Sequence, residues 1–164
     1  MSHVFDAIGS FFGSSDTLPW TDSDVIQGLE QDAIGTRLGY DKESEKSESY
    51  MRLSWALVHS RNLSDVQRGI LMLEAALDKK PDDDQKREIF YLLAVGNYRA
   101  GEMARARRYV DQALVISPDF RQGITLRKLI EDKIAKDGVI GIGIAAAAAT
   151  VVAGGLAALL TKKR

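Results

Sequence analysis

Apolar side chains recur at helical spacing over most of the 164 residues, and the breaks between them mark out the elements. Near the start, Val4, Phe5, Ile8, Phe11 and Phe12 keep that spacing. Gly9, Gly13, Ser14, Ser15 and Pro19 break any long helix there, so residues 1–20 read as an arm. Thr21, with Asp24 three residues on, offers an N-cap. It opens a first amphipathic helix built on Val25, Ile26, Leu29, Ala33 and Ile34 and running to about Arg37. The stretch from Asp41 to Ser49 is charged, serine-rich and without apolar period, and predicts a loop. A last amphipathic helix from about Asp119 has Phe120, Leu126, Leu129, Ile130 and Ile134 as its apolar face.

Between these two helices the chain repeats itself. One unit is RLSWALVHSRNLSDVQRGILMLEAALDKKP, and the next is EIFYLLAVGNYRAGEMARARRYVDQALVISP. Alignment sets Trp55 on Tyr91, Leu57 on Leu93, Gly69 on Ala106, Leu73 on Val110, Ala76 on Ala113 and Pro81 on Pro118. The offset is 36 residues in the first helix of each unit and 37 in the second, so the turn of the first unit has one extra residue. Two amphipathic helices per period of this length make a tetratricopeptide-like repeat. Small residues at Gly69, Ala106, Ala76 and Ala113 let paired helices lie close, and each proline ends a second helix. Two repeats are fewer than the three usually needed, which gives the flanking helices a capping role. The expected fold is all-α.

From Gly138 to Leu160 run 23 residues without a charge, followed by Thr161, Lys162, Lys163 and Arg164. A helix of that length spans roughly 34 Å, enough for a hydrocarbon core of about 30 Å. The expected organisation is an arm at 1–20, a cytosolic helical domain at 21–137, a transmembrane tail anchor at 138–160 and a basic tail at 161–164. The span is weakly hydrophobic, with eight Ala and five Gly against nine Ile, Val and Leu. Gly154 and Ala158, four apart, could let a second helix approach closely, which leaves a homo-oligomer open.

Charge is divided along the chain. Residues 1–49 hold ten acidic and three basic side chains, or −7; residues 50–137 hold thirteen and sixteen, or +3. No dense basic stripe suggests nucleic acid. There is no cysteine, and only His3 and His59 are present, so neither a zinc site nor a catalytic triad is expected. The glycines of DGVIGIG open an apolar span without a preceding strand or a Lys followed by Ser or Thr, so they make no phosphate loop. Asp82, Asp83 and Asp84 follow Pro81 where a helix begins and read as capping and dipole compensation. No enzyme, no cofactor and no small-molecule substrate are expected.

The strings YLLAVGNYR (Tyr91 to Arg99), WALVHSR (Trp55 to Arg61) and IEDKIAKDGVIGIG (Ile130 to Gly143) closely resemble the mitochondrial fission 1 family, in particular its plant and algal type. The resemblance runs from about Thr21 to the end, and FFGSSDTLPW in the arm also looks like the plant members. It implies a six-helix bundle whose four central helices, two tandem repeat pairs, form a right-handed superhelix with a concave groove. It further implies an adaptor on the mitochondrial outer membrane and on peroxisomes, its N-terminal domain facing the cytosol. Such an adaptor helps recruit or regulate a dynamin-related GTPase, partly through intermediate fission adaptors.

With Leu57 and Leu93 facing inward, the partner-binding groove is expected to draw on Arg52, Trp55 and His59 of one helix and Tyr91, Val95, Tyr98 and Arg99 of the other. His59 reads there as a surface histidine. Lys162, Lys163 and Arg164 are the expected targeting signal. Two other readings compete: a chaperone-docking receptor for an acidic C-terminal peptide, disfavoured by a partly apolar face and too few repeats, and a protein that shapes membranes directly. The apolar arm is expected to compete for the groove.

Overall fold

The computed structural model describes residues 18–38 and 43–138. Among them are six helices: α1 (Ser23–Leu38), α2 (Glu43–Val58), α3 (Leu63–Asp78), α4 (Asp83–Arg99), α5 (Met103–Ile116) and α6 (121–138). The two repeat pairs are α2 with α3 and α4 with α5. Their turns differ by one residue, as the repeat offset requires: residues 59–62 in the first, residues 100–102 in the second. The tight second turn needs Gly101 at φ +82°, a conformation that costs a glycine little. Among the described residues the only β-type pairing is an isolated bridge between Thr21 and Ser60.

Side chains at equivalent repeat positions are buried together with their repeat partners. Leu57, Leu93, Leu73 and Val110 are fully buried, and so are Ala106 and Ala113. Leu126 and Ile130 bring α6 into the cluster of Leu73, Leu93 and Val110, while Ile26 and Ala33 of α1 pack with Leu53, Ala56 and Leu57 of α2 in a smaller cluster. Ion pairs tie the helices outside: Arg105 to Glu74 (2.9 Å) joins α5 to α3, and Arg107 to Glu131 (3.0 Å) joins α5 to α6. Asn62 and Asp82 cap α3 and α4 by accepting from the Ser64 and Gln85 amides.

At Gly69 helix α3 comes close to α2. A Cβ there would stand 2.8 Å from Val58 Cγ1 and 2.9 Å from Leu57 Cβ, with the Val58 amide nitrogen at 3.1 Å. Gly28 on α1, in contrast, has nothing within 4 Å. Gly69→Val is therefore expected to cost at least about 2 kcal/mol by prising the pair apart. Gly28→Ala should gain up to about 1 kcal/mol of helix propensity. Urea unfolding midpoints check both, and a neutral Gly69→Val would contradict the close approach.

Three expectations are corrected or fall outside. Residues 43–49 are the first half of α2, not a loop. The apolar period is missing because this stretch is exposed or partly buried and its one buried position, among residues 44–49, is a serine: Ser49 Oγ donates to the Lys46 carbonyl (3.0 Å), as Ser54 Oγ further along donates to that of Tyr50 (2.8 Å), each serving its own helix. Thr21 does not cap α1; its amide donates to the His59 carbonyl oxygen (2.9 Å), and the Ile26 amide bonds back to Asp22. Among the described residues no helix is long and apolar enough to cross a membrane. The expected span at 138–160, apart from Gly138, the basic cluster and the first seventeen residues of the arm lie outside them.

Candidate functional site

The seven residues expected in one groove do not share a surface. Val95 and Asn97 are fully buried, and α4 buries Ile89 and then every position from Leu92 to Asn97. The reason is α6. Phe120, just before it, stands edge-on to Tyr91 with ring centroids 5.3 Å apart, and Leu129 and Lys133 share a cavity wall with Tyr98 and Arg99. The face of α4 that was expected to be open is thus covered, and Tyr91 is packed into the core with its hydroxyl pushed up to about 12 by burial. Trp55 is partly buried and packs at a tilt against His59, ring centroids 4.4 Å apart.

His59 is no surface histidine. It is 1% exposed in the turn after α2, and its Nδ1 lies 2.7 Å from the Trp55 carbonyl oxygen, which assigns the proton to Nδ1. Burial holds its pKa down at about 4, with the Trp55 hydrogen bond opposing and the positive charge of Arg99 adding. The ring is neutral at physiological pH.

Tyr98 and Arg99 line a cavity of about 450 Å³ at the end of the bundle where both intra-repeat turns lie. The chain at 18–20 runs across it. Arg99 Nη2 donates to the carbonyl oxygens of Leu18 (3.2 Å) and Pro19, and its guanidinium lies 3.4 Å from the centre of the Trp20 ring. Arg61 approaches the same ring at 4.6 Å. Desolvation lowers the Arg99 pKa to about 10, so it remains charged. Leu63, Val66, Met103 and Leu129 supply apolar wall, and Lys133 a third cation. Sequence reasoning missed Trp20, Arg61 and Lys133; the signal was the extra residue in the first turn, whose His59 and Ser60 meet Thr21.

Arg52 lies elsewhere, on the rim of a second cavity of about 440 Å³ at the opposite end, between the start of α2, the end of α3 and the start of α4. Its wall is mostly apolar: Tyr50, Met51, Met72, Ala75, Ala76 and Ile89. Glu88 also faces it. Burial pushes the carboxyl of Glu88 up to about 7 against the pull of Arg87, with Asp84 and Asp82 adding. Among the described residues no group of three or more His, Asp or Glu side chains could hold a metal ion.

Two family models match the repeats: the Fis1 N-terminal tetratricopeptide repeat over residues 48–80 and the Fis1 C-terminal tetratricopeptide repeat over residues 87–139. Mitochondrial fission 1 protein A of Arabidopsis thaliana is 50% identical over 167 residues, covering 100% of this chain and 98% of the relative. The chain belongs to the mitochondrial fission 1 family. Another relative, mitochondrial fission 1 protein B of Arabidopsis thaliana, is 46% identical, covering 96% and 95%. Two solved structures share the fold of this fission 1 chain. One is the fission protein Fis1 from Saccharomyces cerevisiae (TM-score 0.62, 23% identity, 76% of this chain and 92% of that one). The other is yeast Fis1 in complex with an Mdv1 fragment containing N-terminal extension and coiled coil domains (TM-score 0.61, 24% identity, 73% and 90%).

Proposed function

We propose that the chain is a non-enzymatic, tail-anchored adaptor that promotes fission of mitochondria and peroxisomes by gathering a dynamin-related GTPase machinery at their surface. The observation that carries this reading is the 50% identity, over the whole chain, to a protein named for mitochondrial fission. The uncharged run to Leu160 inserts in the outer membrane, Lys162, Lys163 and Arg164 direct it there, and the helices face the cytosol. The partner is an amphipathic segment of a fission adaptor; the Mdv1 fragment bound to yeast Fis1 supports a partner of that kind.

For this chain the docking surface is the apolar cleft between α2, α3 and α4, with Arg52 on its rim. Methionines such as Met51 and Met72 adapt to an inserted helix face. Loss of the protein should lengthen mitochondria in cells, and the full chain should restore them. A copy with Lys162, Lys163 and Arg164 changed to Ser should mislocalise and fail. Ala75→Glu, an exposed cleft residue, should abolish partner recruitment while changing stability by no more than about 0.5 kcal/mol. Normal mitochondrial length without the protein would sink the fission reading, whereas intact recruitment by Ala75→Glu would sink only the cleft.

A further inference from the structure

The cavity at the turn end collects charge of one sign. Arg61, Arg99 and Lys133 line it, and among the described residues no carboxylate does. Among the described residues neither arginine has an ion pair: Arg99 is engaged by backbone carbonyl oxygens and Trp20, and Arg61 by the Trp20 ring. Lys133 has Asp137 at 3.4 Å on an exposed face. Beside these cations stand Trp20 and Leu63, 49% and 51% exposed, and the partly buried Tyr98.

The position of this cavity is as telling as its charge. The C-terminal ends of α2 and α4 and the C-terminal half of α6 meet there. Lys133 precedes Gly138, the last described residue of α6, by five positions, and the uncharged run continues directly from it. At about 1.5 Å per residue that is about 8 Å of helix. One polar layer of a bilayer is about 5–8 Å thick. The cationic cavity therefore stands one headgroup layer away from the segment proposed to enter the membrane.

We propose that this cavity takes the phosphate of an anionic phospholipid and seats the turn end of the bundle on the membrane surface. The inference rests on the tail-anchor reading above. Guanidinium groups offer paired N–H donors to phosphate oxygens. Lysine reaches a headgroup while its methylene stem covers apolar surface, and tryptophan favours the membrane interface, where one side is wet and the other apolar. Exposed Trp20 and Leu63 beside the cations favour a lipid surface over an acidic protein segment, because the phosphate layer borders hydrocarbon.

The test uses the full chain with vesicles of phosphatidylcholine alone, or of phosphatidylcholine with phosphatidylinositol as the anionic component. Flotation reports the anchor. Quenching of tryptophan fluorescence by lipid brominated near the top of its acyl chain reports Trp20, with Trp20→Phe used to subtract Trp55. The chain should float on both kinds of vesicle, with Trp20 quenching several-fold stronger on the anionic ones. Arg61→Glu combined with Lys133→Glu should remove that increment and leave helicity and flotation unchanged. Equal quenching on both vesicles, or none on either, would overturn the proposal. So would a response to a glutamate-rich peptide in place of the anionic lipid. If the chain fails to float on neutral vesicles, the anchor is refuted by itself. The cavity proposal then stands only if the wild type still floats with anionic vesicles and the double variant does not.

Discussion

Replacing Val95 with glutamate is expected to leave no folded protein. Val95 has no exposed surface, and its neighbours from Leu92 to Asn97 on α4 are buried as well. A carboxylate there would lack any partner, and burying it uncompensated, or protonating it to avoid that, exceeds about 5 kcal/mol. Total stabilities of domains this size are about 5–15 kcal/mol. Val95→Ala, which only deletes two methyl groups, should cost about 2 kcal/mol and keep the fold. Circular dichroism and thermal melts of the two variants decide the point. A cooperative, native-like melt of Val95→Glu would mean that α4 does present an open face, and that α6 does not cover it.

The same residue shows where the chain was legible and where it was not. Periodicity, the pairing of Gly69 with Ala106 and the two prolines located the repeats and even the extra residue in the first turn, because these features are local or recur at a fixed offset. The facing of α4 is not local. Its sequence from Leu92 to Asn97 reads LLAVGN, apolar and small on every side, and such a helix is buried all round once something covers it. Only the placement of α6 reveals the cover, and Phe120 against Tyr91 is a contact between side chains 29 positions apart. Serines gave the opposite error in α2, where Ser49 and Ser54 occupy buried positions without contributing to an apolar pattern. The cationic cavity was illegible for a third reason. Arg61, Arg99 and Lys133 belong to three separate elements and converge only because α2, α4 and α6 run toward the same end.

Two titratable groups, one buried and one half-buried, should give this protein an unusual dependence of stability on pH, because they act in opposite directions over nearly the same range. His59 has its folded pKa lowered to about 4 from 6.5. Below pH 6.5 the unfolded chain takes up a proton that the folded one refuses, so stability is full above that pH. It is lost as pH falls toward 4, by about 3 kcal/mol in all. Glu88 has its folded pKa raised to about 7 from 4.5. The folded chain then binds the proton first, and stability grows as pH falls from above 7 toward 4.5. Because Glu88 is only about half-buried, solvent screening reduces that gain to about 1–2 kcal/mol. Urea unfolding of the chain ending at Asp137 should therefore show only a shallow net loss of about 1–2 kcal/mol between pH 7 and 4, because the gain from Glu88 offsets part of the loss from His59. Glu88→Gln should raise stability at pH 8 and make the loss begin as soon as His59 of the unfolded chain titrates. His59→Asn keeps a donor for the Trp55 carbonyl oxygen. It should lower stability at pH 7 but remove the net loss on acidification, leaving the rise due to Glu88 visible until other carboxylates protonate. If His59→Asn keeps the acid lability of the wild type, the histidine is not buried as a neutral ring. In that case the contact between the first turn and Thr21, which is built around it, needs another explanation.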